Sequence, residues 1–199
     1  MTRTMNKIAQ TAAAVLLMLA AGACNDINRQ EAPVALVVTN TQNLSRLDLA
    51  GDVTGSMKCQ ESIATVHMTS VLLEKPTTNP NVTLADLNTI KVDRYRVSYV
   101  RVDGGHLVPA PFVRSISTTI GAGSTAEGTN FVAFEPNAVF NAPFAALLPA
   151  NGGRDPETGR SVVTMDVVLE VFGTTLAGER VSGNTRMTID FCFSCGGCA

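Results

Sequence analysis

Two stretches near the C-terminal end alternate apolar and polar residues one for one, and that pattern limits the possible folds more than any other feature of the chain. In "VVTMDVVLEVFG", Val163, Met165, Val167, Leu169 and Val171 share one face while Thr164, Asp166 and Glu170 share the other. A period of two is what a strand shows when one face meets a core and the other meets water. After a turn at Leu176 to Glu179, "TRMTIDFCF" returns with Met187, Ile189, Phe191 and Phe193 on one face and Arg186, Thr188, Asp190 and Cys192 on the other. The two runs predict a hairpin.

The same chemistry recurs upstream. "IKVDRYRVSYVRV" sets Tyr95, Val97 and Tyr99 together, opposite Arg94, Arg96 and Ser98, and stops at the turn signal Asp103-Gly104-Gly105. "PFVRSISTTI", the glycine-rich "GAGSTAEG" and "TNFVAFEP" read as a further hairpin. "SIATVHMTSVLLEK" predicts a long strand with Ala64, Val66 and Met68 inward, and "VALVVT" (Val34 to Thr39) an edge strand. Asn137 to Arg160 has no clean period and carries Pro143, Pro149 and Pro156, so it predicts a loop with one helical turn at Pro143 to Leu148.

Branched apolar residues and threonine, with glycine and proline at short intervals and no tryptophan, are β-sheet chemistry. Six to eight antiparallel strands at this spacing predict an all-β fold, a two-sheet antiparallel β-sandwich following a cleaved signal peptide. The order of runs resembles immunoglobulin-like and fibronectin-like sandwiches in architecture.

The N-terminus supplies an address. Arg3 and Lys7 precede the apolar run "IAQTAAAVLLMLA", and Ala21, Gly22 and Ala23 stand directly before Cys24. Charged start, apolar middle and small-residue site are the parts of a secretory signal. The run is shorter than the roughly 20 residues of a membrane-crossing helix. "LAAGAC" resembles the lipobox of bacterial lipoproteins, and the resemblance implies a diacylglycerol on the sulfur of Cys24, which becomes the first residue. Ala21-Gly22-Ala23 also spells an ordinary A-x-A site, which would release a soluble protein. With Asn25 rather than Asp after Cys24, the resemblance implies sorting to the outer membrane where the cell has one. The expected organisation is a lipoprotein signal peptide at 1–23, a lipidated tether at 24–33 ("NDINRQEAP" after the cysteine) and one domain at 34–199.

Cysteine number bears on both ends. Of the five cysteines, Cys24 taken by lipid leaves Cys59, Cys192, Cys195 and Cys198, an even set suited to two disulfides. In an oxidising envelope disulfides are the expected state. Face assignment favours pairing Cys59 with Cys192 on the surface, because Cys192 falls outward and Cys59 is out of phase with the inward residues of its run. Cys195 and Cys198, separated by Gly196 and Gly197, would then close on each other. A long-range Cys59–Cys192 bridge would be worth roughly 4 to 5 kcal/mol on the chain-entropy account. The alternative is a redox or metal centre, since C-x2-C-x2-C spacing matches part of a ferredoxin run with Cys59 as a remote fourth ligand. Against it, no Cys-Pro follows and the chain stops one residue after Cys198.

Other candidates carry little. His67 lies in a strand and His106 beside a turn, with no H-x-x-x-H, H-x-H or G-x-S-x-G, so neither receives a role and no catalytic residue or cofactor is expected. Arg94, Arg96, Arg101 and Arg114 gather around one predicted hairpin; an acidic partner or polysaccharide would suit them, as would a solvated strand face. "NGGRDPETG" offers oxygen ligands without EF-hand spacing and reads as a turn-rich loop. Without Arg3 and Lys7, the 15 basic residues fall to 13 against 17 acidic, a formal −4. No basic block exists, which argues against nucleic acid. Aromatic platforms for a conventional carbohydrate site are scarce. The sum is a membrane-anchored envelope lipoprotein, non-enzymatic, acting as a structural or interaction module on the membrane through its lipid and on an envelope protein partner.

Overall fold

Val34–Ala199 forms one compact unit. The structure is a computed structural model and describes residues 33–41, 45–50, 63–73, 87–132 and 134–196. Among the described residues eight strands follow in order: β1 (Val34–Asn40), β2 (Arg46–Asp48), β3 (Ile63–Leu72), β4 (Ile90–Arg101), β5 (Phe112–Ile120), β6 (Thr125–Val132), β7 (Val162–Thr175) and β8 (Arg180–Cys192). They form two sheets, one of three strands ordered β1-β3-β6 and one of five ordered β2-β8-β7-β4-β5. The protein is all-β. Among the described residues the pairings are antiparallel except for β2, which runs parallel to the end of β8 from Arg46 opposite Asp190 to Asp48 opposite Cys192.

The alternation read from the sequence sets the inner face. Val163, Met165, Val167, Leu169 and Val171 of β7 are buried, as are Tyr95, Val97 and Tyr99 of β4 and Met187, Ile189 and Phe191 of β8. From the three-stranded sheet come Val34, Leu36, Val38, Val66, Met68 and Phe131. The two inner faces touch: the Tyr95 and Phe131 rings meet edge-on with centroids 4.9 Å apart. The Tyr95 hydroxyl accepts a hydrogen bond from the Val132 N–H at 3.0 Å, so its polar tip is satisfied inside the core. At Gly183, β8 comes so close to the Leu36 carbonyl of β1 that a side chain there would strike backbone.

Two stretches differ from expectation. The β5 and β6 runs are joined by a tight turn in which the Ser124 N–H donates to the Gly121 carbonyl at 3.0 Å. They are not a paired hairpin: β5 pairs with β4 and β6 with β3, so the turn is a corner between sheets. Alternation cannot distinguish these cases, since both strands keep an inward face either way.

The irregular segment holds more structure than one turn. A 3-10 turn at Pro136–Phe140 is followed by the short helix α1 (Phe144–Leu147) and a second 3-10 turn at Pro149–Asn151. Phe144 is fully buried and lies 4.8 Å from the ring of Phe191 and 5.1 Å from that of Phe134. The loop is therefore a plug that closes one end of the core.

Candidate functional site

The cysteines are the main candidates that the sequence offers. β8 ends at Cys192, the chain turns back through Ser194 (φ 56) and Gly196 (φ 97), and the sulfurs of Cys192 and Cys195 stand at disulfide distance with their Cα atoms 6.0 Å apart. The preferred pairing of Cys59 with Cys192 and Cys195 with Cys198 is therefore not the arrangement seen. Cys192 is also buried rather than on the surface. Strand parity does place it outward, but the returning turn brings Cys195 over it. Cys24, Cys59 and Cys198 lie outside the described residues.

The turn is held by a carboxylate from another strand. Asp48, buried at the end of β2, accepts the Ser194 N–H on Oδ1 at 2.8 Å and the Cys195 and Gly196 N–H groups on Oδ2 at 2.9 and 3.2 Å. Its Oδ1 also accepts the Ala50 N–H at 3.0 Å, and the Leu49 N–H donates to the Cys192 carbonyl at 2.8 Å. Backbone N–H groups converging on one anion form a nest, and here the anion is part of the chain. Three residues of β2 are too few to show a period, so this role of Asp48 left no trace in the sequence. The arrangement ties the end of β2 to the turn after β8 in one clasp.

The metal alternative finds no support in this geometry. Among the described residues no group of three or more His, Cys, Asp or Glu is placed to hold a metal ion. Of its four proposed ligands, Cys192 and Cys195 have their sulfurs against each other, and Cys59 and Cys198 lie outside the described residues. His67 sits in β3 between Thr39 and Glu127 in register. The His106 side chain is exposed, 3.7 Å from Glu157.

The four arginines of the predicted cluster separate into distinct jobs. Arg101 is the buried one, its side chain only 2% exposed. It bonds Asp103 through Nε and Nη2 at 2.7 and 2.9 Å, and Asp155 through Nη2 at 2.8 Å. Asp155 is itself completely buried and also accepts the Thr158 hydroxyl and N–H. Burial by itself would raise the pKa of Asp103, but Arg101, together with the Thr164 and Gly105 N–H groups, outweighs it and brings the carboxyl down to about 2. For Arg101, burial opposes the charge, and the two aspartates more than compensate. Glu157 is held below its ordinary value by the N–H groups of Leu107 and His106. Asp155 Oδ2 and Glu157 Oε2 of "NGGRDPETG" thus face a guanidinium and backbone or hydroxyl donors, whereas the buried Asp155 Oδ1 has no hydrogen-bond partner among the described residues. A signal for this cluster existed: Arg101 shares strand parity with Tyr95, Val97 and Tyr99, and a charge on an inward face implies buried partners.

The remaining three are on the surface. Arg96 pairs with Glu170, Arg114 with Glu135 at 2.8 Å, and Arg94 stands over the ring of Phe172. Arg94 and Arg96 face outward on the five-stranded sheet, as alternation predicted. Comparison with protein-family models, curated proteins and solved structures gave no match. Among the described residues no helix is long and apolar enough to cross a membrane.

Proposed function

We propose that this chain is a lipid-anchored cell-envelope protein whose domain works through its surface as a non-enzymatic structural or interaction module. In this reading residues 1–23 are removed, Cys24 carries the acyl chains, 24–33 form a short tether, and residues 34–199 form an immunoglobulin-like sandwich held close to an outer membrane. Two acyl chains supply stable anchoring, at about 0.8 kcal/mol per buried methylene. The sandwich assignment draws support from the Tyr95–Phe131 contact and the Gly183 approach to Leu36. The observation that carries the proposal is the cysteine clasp. A sulfur pair at bonding distance, held in a turn by Asp48, supports a structural tie, and such ties belong to oxidising compartments.

Intact mass and thiol mapping on protein extracted from membranes tests the whole reading. The expected result is a chain beginning at an acylated Cys24 with no free thiol. A cytosolic protein retaining its first residues, labelling of two or more of the other four cysteines without reductant, or stoichiometric bound metal would overturn it.

A further inference from the structure

Charges on the outward face of the five-stranded sheet are matched almost throughout. Arg96 pairs with Glu170, Arg186 and Thr188 donate to Asp166, and Thr164 donates to Asp190. One corner departs from this pattern. β4 bulges between Val92 and Arg94; beyond the bulge Arg94, Phe172 and Ser182 line up across β4, β7 and β8, with Lys91, Thr174 and Arg180 as the neighbouring row. Beside the bulge lies an open hollow of about 420 Å³ lined in part by Asp93, Arg94, Phe172, Thr174, Arg180 and Ser182. The Arg94 guanidinium lies 5.3 Å from the centre of the Phe172 ring and forms a loose ion pair with the exposed Asp93 carboxylate at 3.6 Å, longer than a hydrogen bond. The Arg180 side chain makes no ion pair or hydrogen bond among the described residues, and Lys91 makes none either.

We infer that this hollow binds an acidic saccharide, a sugar unit bearing a carboxylate. Guanidinium groups on two sides suit a planar carboxylate, which accepts paired N–H donors. The hydroxyls of Thr174 and Ser182 and the carboxylate of Asp93 answer the hydroxyl groups of a sugar ring. Asp93 repels any anion, and repels a compact dianion such as inorganic phosphate about twice as strongly as a monoanionic carboxylate, so the site favours the latter. Stacking on Phe172 is not needed, since Arg94 already covers that ring, so the scarcity of aromatic platforms is no obstacle to this ligand. The volume lies within the usual range for small-molecule pockets. This deepens the interaction-module reading by giving it a ligand class, but it does not depend on the lipid.

The test is titration of the membrane-extracted, detergent-solubilised protein with trigalacturonic acid, with a neutral trisaccharide and inorganic phosphate as separate arms. Calorimetry gives the affinity, and amide chemical-shift mapping gives the position. The expected result is salt-sensitive uronate binding that shifts amides at 93–94, 172–174 and 180–182, with no binding of the neutral trisaccharide. Arg180→Ala should weaken it about tenfold, as loss of a charge-assisted contact does. Arg160→Ala, in an exposed loop, should leave it unchanged. No uronate binding, shifts elsewhere on the domain, or equal binding of phosphate would overturn the assignment. Because anchoring is read by mass and ligand by titration, failure of one is distinguishable from failure of the other.

Discussion

A single guanidinium holds two buried acids in place, and that makes Arg101 the residue on which pH dependence turns. Asp103 has a pKa of about 2 in the folded protein against an ordinary 3.8, so it contributes stability that is complete above about pH 4 and is lost as pH falls through 2. The contribution is about 2 kcal/mol, and Asp155, also lowered, adds in the same direction. Arg101→Met removes the counter-charge and strands two carboxylates in the interior. Urea unfolding at pH 7 should show a loss of about 3 to 5 kcal/mol. At pH 3, where the stranded carboxylates are protonated, the gap to the parent protein should narrow; a gap independent of pH would mean that the charges do not interact as described. Gly105 packs directly on the Arg101 guanidinium, which is bonded on both sides and has no room to retreat. Gly105→Ala should therefore cost about 1 to 3 kcal/mol, measured the same way.

Among the elements, β4, β7 and β8 were legible because each alternates over many residues and each buries its apolar face. What the alternation could not carry is partner choice: it marked β5 and β6 as strands joined by a turn but not the fact that they belong to different sheets. β2 was invisible, being three residues whose pairing depends on the distant end of β8. The same cause hid the site. Cys192 has outward parity, yet it is buried, with β2 alongside it and the turn on Asp48 folding back next to it. The plug around α1 was hidden by its prolines, which break every period yet leave Val139, Phe144 and Leu147 buried. If that segment closes the core, Phe144→Ala should destabilise the domain by about 3 to 5 kcal/mol. Limited proteolysis should then cut first between Pro136 and Asn151, whereas a segment merely lying on the surface would be cleaved equally in the parent.

At the scale of the whole molecule, the distribution of sulfur decides how the domain is tied. Joining Cys192 to Cys195 closes a loop with a sequence separation of 3, and so short a loop removes little unfolded-state freedom, about 2 kcal/mol on the chain-entropy account. If Cys24 bears lipid, the two cysteines left over are Cys59 and Cys198, and in an oxidising envelope they should pair with each other. That bridge would enclose most of the domain and contribute roughly 4 to 5 kcal/mol. The two ties therefore differ in strength by a measurable margin. Guanidinium unfolding of Cys195→Ser should reveal the smaller loss and Cys59→Ser the larger one, with peptide mapping under non-reducing conditions recovering a Cys192–Cys195 fragment and a Cys59–Cys198 fragment. Equal losses, or a mapped Cys59–Cys192 link, would mean that the long-range tie runs through the end of β8 and that the turn on Asp48 is held by hydrogen bonds alone.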